Sequence, residues 1–327
     1  MPKIRLSGRI AGANDPNREV RARLLYLLFA GGWDIENANG DQSITLSNIE
    51  RRIIESDAFV FTPGATLEEL FKAVSIFVGY QTLDVNLKSK PTVLLNGDGS
   101  WAPLLGLLDH LHELGTIKQD HREFLLVAED PRKVIDCLRR VRSEGLPDAG
   151  RHHHHDAGIA VDELSSFEGE FPAKHAGNVC VFCSASIEEE DYLQDGYSLG
   201  TMLAEAGLGC VTGAGRTGVM GSVVRGAVDA GGWTGGSNVP HIIELEGLPE
   251  GLSSFWLRPD IYTRMEVMIE RSEAFVIFPG GAGTVQEVLA LLLLADEGRE
   301  VMRGKPVIMF DRKDERTGKR FWEPLIG

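Results

Sequence analysis

Glu270-Arg-Ser-Glu-Ala-Phe-Val-Ile-Phe-Pro-Gly-Gly-Ala-Gly-Thr-Val-Gln-Glu287 decides the fold, because the chain carries a version of it twice. Ile54-Glu-Ser-Asp-Ala-Phe-Val-Phe-Thr-Pro-Gly64 lines up with Glu270–Gly280 without a gap. Ala65-Thr-Leu-Glu-Glu-Leu70 then matches Gly283-Thr-Val-Gln-Glu-Val288 once a deletion of two residues is allowed. Lys90-Pro-Thr-Val-Leu-Leu95 pairs with Lys305-Pro-Val-Ile-Met-Phe310, and Trp101-Ala-Pro-Leu104 with Trp322-Glu-Pro-Leu325. Blocks repeated in one order at nearly one spacing mark a tandem duplication.

Each copy reads as strands alternating with helices. Ala274–Phe278 is a run of β-formers ended by Pro279, and Thr284–Leu294 is apolar and helical in composition. Upstream, Asn178–Cys183 and Gly209–Thr212 read as strands, and Glu188–Ala206 and Gly218–Ala230 as helices. Pro306–Phe310 is a further short strand. Apolar strands separated by helices imply a parallel sheet covered on both faces. The expectation is two tandem Rossmann-like doubly wound α/β domains, the first degenerate. Residues 1–141 make the first, 142–174 a linker rich in Gly and Pro, and 175–327 the second. The run His152-His-His-His155 falls in that connector and reads as solvated chain.

Charge and composition narrow the function classes. The 327 residues hold 33 Lys+Arg against 48 Asp+Glu, a net charge of −15, so binding along a nucleic-acid backbone is disfavoured. The most apolar run, Val285–Ala295, is interrupted by Gln286 and Glu287 and is too short to span a bilayer. Met1–Gly12 lacks the apolar core of a signal peptide, so a cytoplasmic location is expected, with no membrane partner. Cys180 and Cys183 spell C-x-x-C inside an apolar strand, where residues three apart face opposite ways, so both are expected in the core. No metal site is expected.

Two glycine-rich turns fall at strand ends, where open parallel sheets bind ligands. They are Thr212-Gly-Ala-Gly-Arg-Thr-Gly-Val-Met-Gly221 and Phe278-Pro-Gly-Gly-Ala-Gly-Thr284. Glycine lets backbone N–H groups approach an anion, and the following helix adds a partial positive charge. Thr284-Val-Gln-Glu287 also fits a capping box, as does Thr66-Leu-Glu-Glu69, so capping accounts for that spacing in both copies. It does not account for Gly280, Gly281 and Gly283 occurring together in one copy only.

Arg264-Met-Glu-Val-Met268 followed by Pro279-Gly-Gly-Ala-Gly-Thr-Val-Gln-Glu287 resembles the R-x-x-x-M and P-G-G-x-G-T-x-x-E signature of the "Lonely guy" (LOG) family. These are nucleoside 5′-monophosphate phosphoribohydrolases, often labelled lysine decarboxylases. Phe182-Cys-Ser-Ala-Ser186 is similar to the family's turn after the first strand, and Gly213–Gly221 to its second glycine block. The resemblance implies N-glycosidic cleavage of an AMP-like nucleotide to free base and ribose 5-phosphate, without cofactor or metal. It makes Glu287 and Arg264 catalytic and assigns the phosphate to Gly280, Gly281, Gly283 and Thr284. Ser184, Ser186, Gly213, Gly215, Gly218 and Met220 would line the rest of the nucleotide site. Met265, Ser184, Ala185 and Ala214 depart from the family pattern, so base preference does not carry over.

The competing reading is a nucleotide-binding or carrier protein of the same fold without turnover. A pyridoxal-phosphate decarboxylase is rejected, because the second half offers only Lys174, Lys305, Lys313 and Lys319, all in linker or strand-edge settings. The first copy loses two glycines of the loop and, on the ungapped alignment, has Asn48 where Arg264 stands. It is expected to be inactive. Since members of the family pair as dimers, the resemblance further implies that it replaces one subunit as an intrachain pseudo-dimer partner, or that chains pair as a homodimer.

Overall fold

The computed structural model describes residues 2–7, 15–37, 46, 53, 55–82, 84, 89–147 and 161–326. The chain divides into two compact units, Met1–Gly150 and Arg151–Gly327. The first contains β1 (Lys3–Ser7), α1 (Arg18–Ala30), β2 (Asp34–Asn37), β3 (Ala58–Phe61) and α2 (Leu67–Gln81). It continues with β4 (Thr92–Leu95), α3 (Ala102–Glu113), β5 (Leu125–Ala128) and α4 (Pro131–Glu144). Its five strands are parallel in the order β2-β1-β3-β4-β5.

The second unit opens with β6 (Asn178–Phe182), α5 (Glu190–Glu205), β7 (Gly209–Thr212), α6 (Gly218–Asp229) and β8 (Thr234–Asn238). Then come α7 (Pro240–Glu246), β9 (Ser254–Leu257), α8 (Ile261–Glu270) and β10 (Ala274–Ile277). It closes with α9 (Ala282–Asp296), β11 (Val307–Met309) and α10 (Glu323–Ile326). The six-stranded sheet runs β11-β10-β6-β7-β8-β9, all parallel. The expected doubly wound architecture is present twice. The order reverses between β1 and β3 in one sheet and between β6 and β10 in the other, and such switch points open a crevice at the strands' carboxyl ends.

The duplication reaches individual hydrogen bonds. Asp57 N–H donates to Lys3 O at 2.9 Å while Asp57 Oδ2 accepts from Lys3 N–H, and Glu273 makes both bonds with Asn178. Lys90 Nζ donates to Ile53 O at 3.3 Å, and Lys305 Nζ to Ile269 O at 2.9 Å. Trp101 and Trp322 are both fully buried. These shared contacts hold β3 to β1 and β10 to β6, and they explain why the Ser-acidic-Ala-Phe-Val and Lys-Pro blocks recur.

Between β7 and α8 the second unit holds a segment without counterpart among the described residues of the first: β8, α7 and β9. Thr234-Gly-Gly-Ser-Asn238 is a wholly buried strand that no β-former pattern announces. Sterics select its glycines. A Cβ on Gly235 would lie 2.7 Å from the Trp233 ring, and one on Gly236 would lie 2.7 Å from Ala214 Cβ.

The segment expected as a linker is only partly that. Residues 142–144 belong to α4, and the His152–His155 run lies outside the described residues, as does Asn48. Residues 164–176 pack on the second sheet: Phe167 pairs antiparallel with Phe255 of β9, and Gly169 N–H donates to Ser254 Oγ at 2.9 Å. Among the described residues, no helix is long and apolar enough to cross a membrane.

Candidate functional site

The loops after β6, β7, β8 and β10 meet at the carboxyl ends of the second sheet. α9 starts at Ala282 with Gly281 as its N-cap. Thr284 is therefore the third helical residue and Glu287 lies in the second turn, so the capping box expected at Thr284–Glu287 does not form. The added glycines move the helix start upstream. Thr284 instead folds back over Gly280, where a Cβ would sit 2.0 Å from Thr284 Oγ1. A Cβ on Gly283 would meet nothing within 4 Å. The first N–H groups of α9 have no carbonyl one turn earlier to bond, which leaves an anion-seeking end.

Released from capping, Glu287 points into the protein and is 6% exposed. Burial pushes its carboxyl up to about 8, against the pull of the Arg264 guanidinium and with the push of Glu246. Arg264 is delivered by α8, whose N-cap Asp260 accepts from the N–H groups of Tyr262 and Thr263. The arginine is 9% exposed. Its Nε donates to Ser237 O at 2.9 Å and its Nη2 to Gly213 O at 3.0 Å. One guanidinium thus ties the ends of β7 and β8 together and places a fixed positive charge near Glu287. Its hydrogen-bond partners are neutral carbonyls, so the charge acts on the nearby carboxylates of Glu287 and Glu246.

The β7–α6 glycines have individual causes. A Cβ on Gly213 would lie 2.0 Å from Arg264 Nη2, and one on Gly215 would lie 2.6 Å from Glu246 Oε2. Gly218 has a left-handed φ of +59° and crowds the Ala185 backbone. Gly213 and Gly215 therefore admit two charged side chains rather than merely forming a turn. Between them Ala214 sits at φ 55°, where a non-glycine residue costs about 1 kcal/mol.

Ser184 and Ser186 lie at the end of β6. Ser184 Oγ accepts from Ser186 N–H at 3.0 Å and lies 3.0 Å from Ser186 Oγ. Ser184 O accepts from Met220 N–H at 3.0 Å, and Met220 Sδ accepts from Gly215 N–H at 3.0 Å. The residues expected to line the nucleotide site are thus brought together. Glu246 was not foreseen. It ends α7, a helix of seven residues inside the stretch that sequence patterning did not resolve.

The same end of the first sheet is closed by its own side chains. Thr66 is a true N-cap there: Glu69 Oε2 accepts from Thr66 N–H at 2.7 Å and from its hydroxyl at 2.6 Å. Gly64 N–H donates to Ser100 Oγ at 2.9 Å. Arg21 Nη2 donates to Pro63 O at 2.7 Å, and buried Lys72 pairs with Glu68. Cations are therefore present near this loop, each engaged by a carboxylate or carbonyl of the same unit.

Cys180 and Cys183 are buried free thiols, with burial raising both well above the ordinary range, so neither offers a thiolate. Lys305 is committed to Ile269 O and stands away from Glu287 in the fold, at the foot of β11.

The family described as "Possible lysine decarboxylase" matches residues 25–138 and 220–327, and the chain belongs to it. The double match follows the duplication. A Mycobacterium tuberculosis protein named cytokinin riboside 5′-monophosphate phosphoribohydrolase is 29% identical over 144 residues, 44% of this chain and 75% of that one. An Arabidopsis thaliana protein of the same activity name is 31% identical over 132 residues, 40% of this chain and 60% of that one. Among solved structures, the molybdenum cofactor carrier protein of Chlamydomonas reinhardtii aligns at 25% identity with a TM-score of 0.33, over 41% of this chain and 76% of that one.

Proposed function

We propose that the second unit hydrolyses the N-glycosidic bond of a nucleoside 5′-monophosphate, releasing free base and ribose 5-phosphate. One observation carries the reading: a buried carboxylate, Glu287, shares its surroundings with a buried arginine beside an uncapped helix N-terminus. The 5′-phosphate docks on the first turn of α9, at Gly280, Gly281, Gly283 and Thr284. That fixes the sugar with its anomeric carbon toward Glu287, in the second turn of the helix. As the base departs with the bonding electron pair, positive charge grows on the ribose ring. A desolvated carboxylate stabilises that charge far better than water does. It takes the proton of the water that adds to the anomeric carbon, and that proton ends on the departing base nitrogen, giving free base and ribose 5-phosphate. Arg264 holds the two loops in place and favours the ionised form of Glu287. The relatives' activity names support the same chemistry.

On this reading the first unit is structural, since the Glu69 carboxylate and Ser100 hydroxyl occupy the donors that a phosphate would need. Incubating the full chain with AMP, GMP, IMP, CMP and UMP and quantifying free base with ribose 5-phosphate tests the assignment. Stoichiometric release from at least one nucleotide is expected. Tight binding of a nucleotide with no release from any would replace the hydrolase reading with the carrier reading.

A further inference from the structure

α7 ends at Glu246, whose carboxylate leaves the helix and enters the β7–α6 turn. Its Oε2 lies 2.6 Å from where a Cβ on Gly215 would stand. The same point is 3.0 Å from Met220 Sδ and 3.3 Å from Ala185 Cβ. Glu246 therefore sits where the loops after β6 and β7 close on each other, among residues already placed in the nucleotide site. Two residues back along the same turn, Gly213 makes way for Arg264. Both glycines are thus explained by charged side chains converging from α7 and α8.

We propose that Glu246 is the second acidic residue of the nucleotide site, contacting the substrate through hydrogen-bond donors that its carboxylate accepts. The inference rests on the hydrolase reading above and adds a substrate contact to it. An ionised carboxylate is acceptor-only, and two oxygens match a pair of neighbouring donors. A nucleotide offers such pairs in two places, the ribose 2′,3′-diol and the N–H edge of an amino-bearing base. The Glu246 carboxylate itself repels a phosphate, which agrees with phosphate docking at α9.

The groups facing Glu246 come from four elements. Arg264 on α8 favours its ionised form, Glu287 on α9 and the Cys183 thiol after β6 share its field, and the Arg216 guanidinium lies beside Gly247 at 3.0 Å from a Cβ built there. Burial works against ionisation of Glu246. Negative charge on Glu246 makes Glu287 harder to ionise, and donors from a substrate offset the burial that opposes ionisation of Glu246.

The test compares the full chain with Glu246→Gln and Glu246→Ala. With nucleotides that the wild type cleaves, KM should rise about tenfold or more in Glu246→Gln, with a smaller change in kcat. The rise of kcat/KM with pH should also move to lower pH, because one repelling carboxylate is gone. If the donors are ribose hydroxyls, 2′-deoxy-AMP should lose the difference between wild type and variant. If they belong to the base, GMP should be affected more than IMP, which lacks the amino group. AMP binding to Glu287→Gln with and without Glu246→Gln, followed by calorimetry, gives the same comparison without turnover. An unchanged KM, binding constant and pH profile in a folded Glu246→Gln protein would overturn the inference while leaving the hydrolase reading intact. Absence of both turnover and nucleotide binding in the wild type would overturn the two together.

Discussion

Glu69 and Glu287 occupy one position of one duplicated motif and end in two different settings. In the first copy the helix begins after Thr66, and Glu69 reaches back to cap it. In the second, the inserted glycines start the helix at Ala282, and Glu287 is carried one turn inward to a buried place near Arg264. A shift of helix start by less than one turn thus turns a capping carboxylate into a buried one beside an arginine. The comparison teaches that the Thr-x-x-Glu spacing is read differently depending on where the glycines place the N-cap.

The largest effect should come from Arg264→Ala. It leaves the Gly213 and Ser237 carbonyls without their donor and Glu287 without its neighbouring cation. Turnover should disappear, and thermal or urea unfolding should show a loss of about 3 kcal/mol, since a buried charged hydrogen-bonding group is removed. The mechanical tie makes this loss larger than a surface arginine would produce. Undiminished stability would show that the strand ends hold without it.

Next in size is the phosphate effect. If α9 accepts the phosphate and the closed first copy does not, adenosine should be cleaved at least about 100-fold more slowly than AMP, by comparison of kcat/KM. Equal rates would remove the helix end from the site. The glycines sharpen the point. Gly280→Ala must push Thr284 aside and should both destabilise the protein and lower turnover. Gly283→Ala meets nothing within 4 Å beyond its own helix and should melt no lower than the wild type, so any rise in KM reports on the ligand.

A pH dependence follows from Glu287. Its carboxyl stands near 8 in the folded protein and at the ordinary 4.5 when unfolded. The folded state therefore holds the extra proton between those values, and stability should fall as pH rises from about 4.5 to 8. Over the same range kcat/KM should rise, with a midpoint near 8, as the carboxylate forms. Glu287→Gln should flatten the stability slope. An unchanged slope would place the titration elsewhere.

Much of this was legible in the sequence because the repeated blocks are strand-plus-turn units whose apolar runs have one reading. The strand expected over Ala274–Phe278 runs Ala274–Ile277, and Gly209–Thr212 appears as expected. Residues 234–246 were not legible. Thr234–Asn238 is a strand of small and polar residues chosen by crowding from Trp233 and Ala214, which only the folded neighbours supply. With that strand went α7, and with α7 the position of Glu246. The role of Glu287 was open for a related reason: Thr284-Val-Gln-Glu287 satisfies a local capping pattern, and only the observed helix start at Ala282 excludes it. Arg264 was visible as a motif residue, while its bonds to two strand ends were not.

One pair of matched substitutions tests the account most directly. Glu69→Gln and Glu287→Gln change the same atom at equivalent positions of the two copies, and turnover of the preferred nucleotide is measured with melting at pH 8.5. A glutamine oxygen can still cap, so Glu69→Gln should keep wild-type turnover and unfold within about 0.5 kcal/mol of the parent. Glu287→Gln should lose turnover by roughly 100- to 1000-fold while melting at a higher temperature, because a buried charge has been removed. Full activity in Glu287→Gln, or its loss in Glu69→Gln, would contradict the division of labour between the two copies.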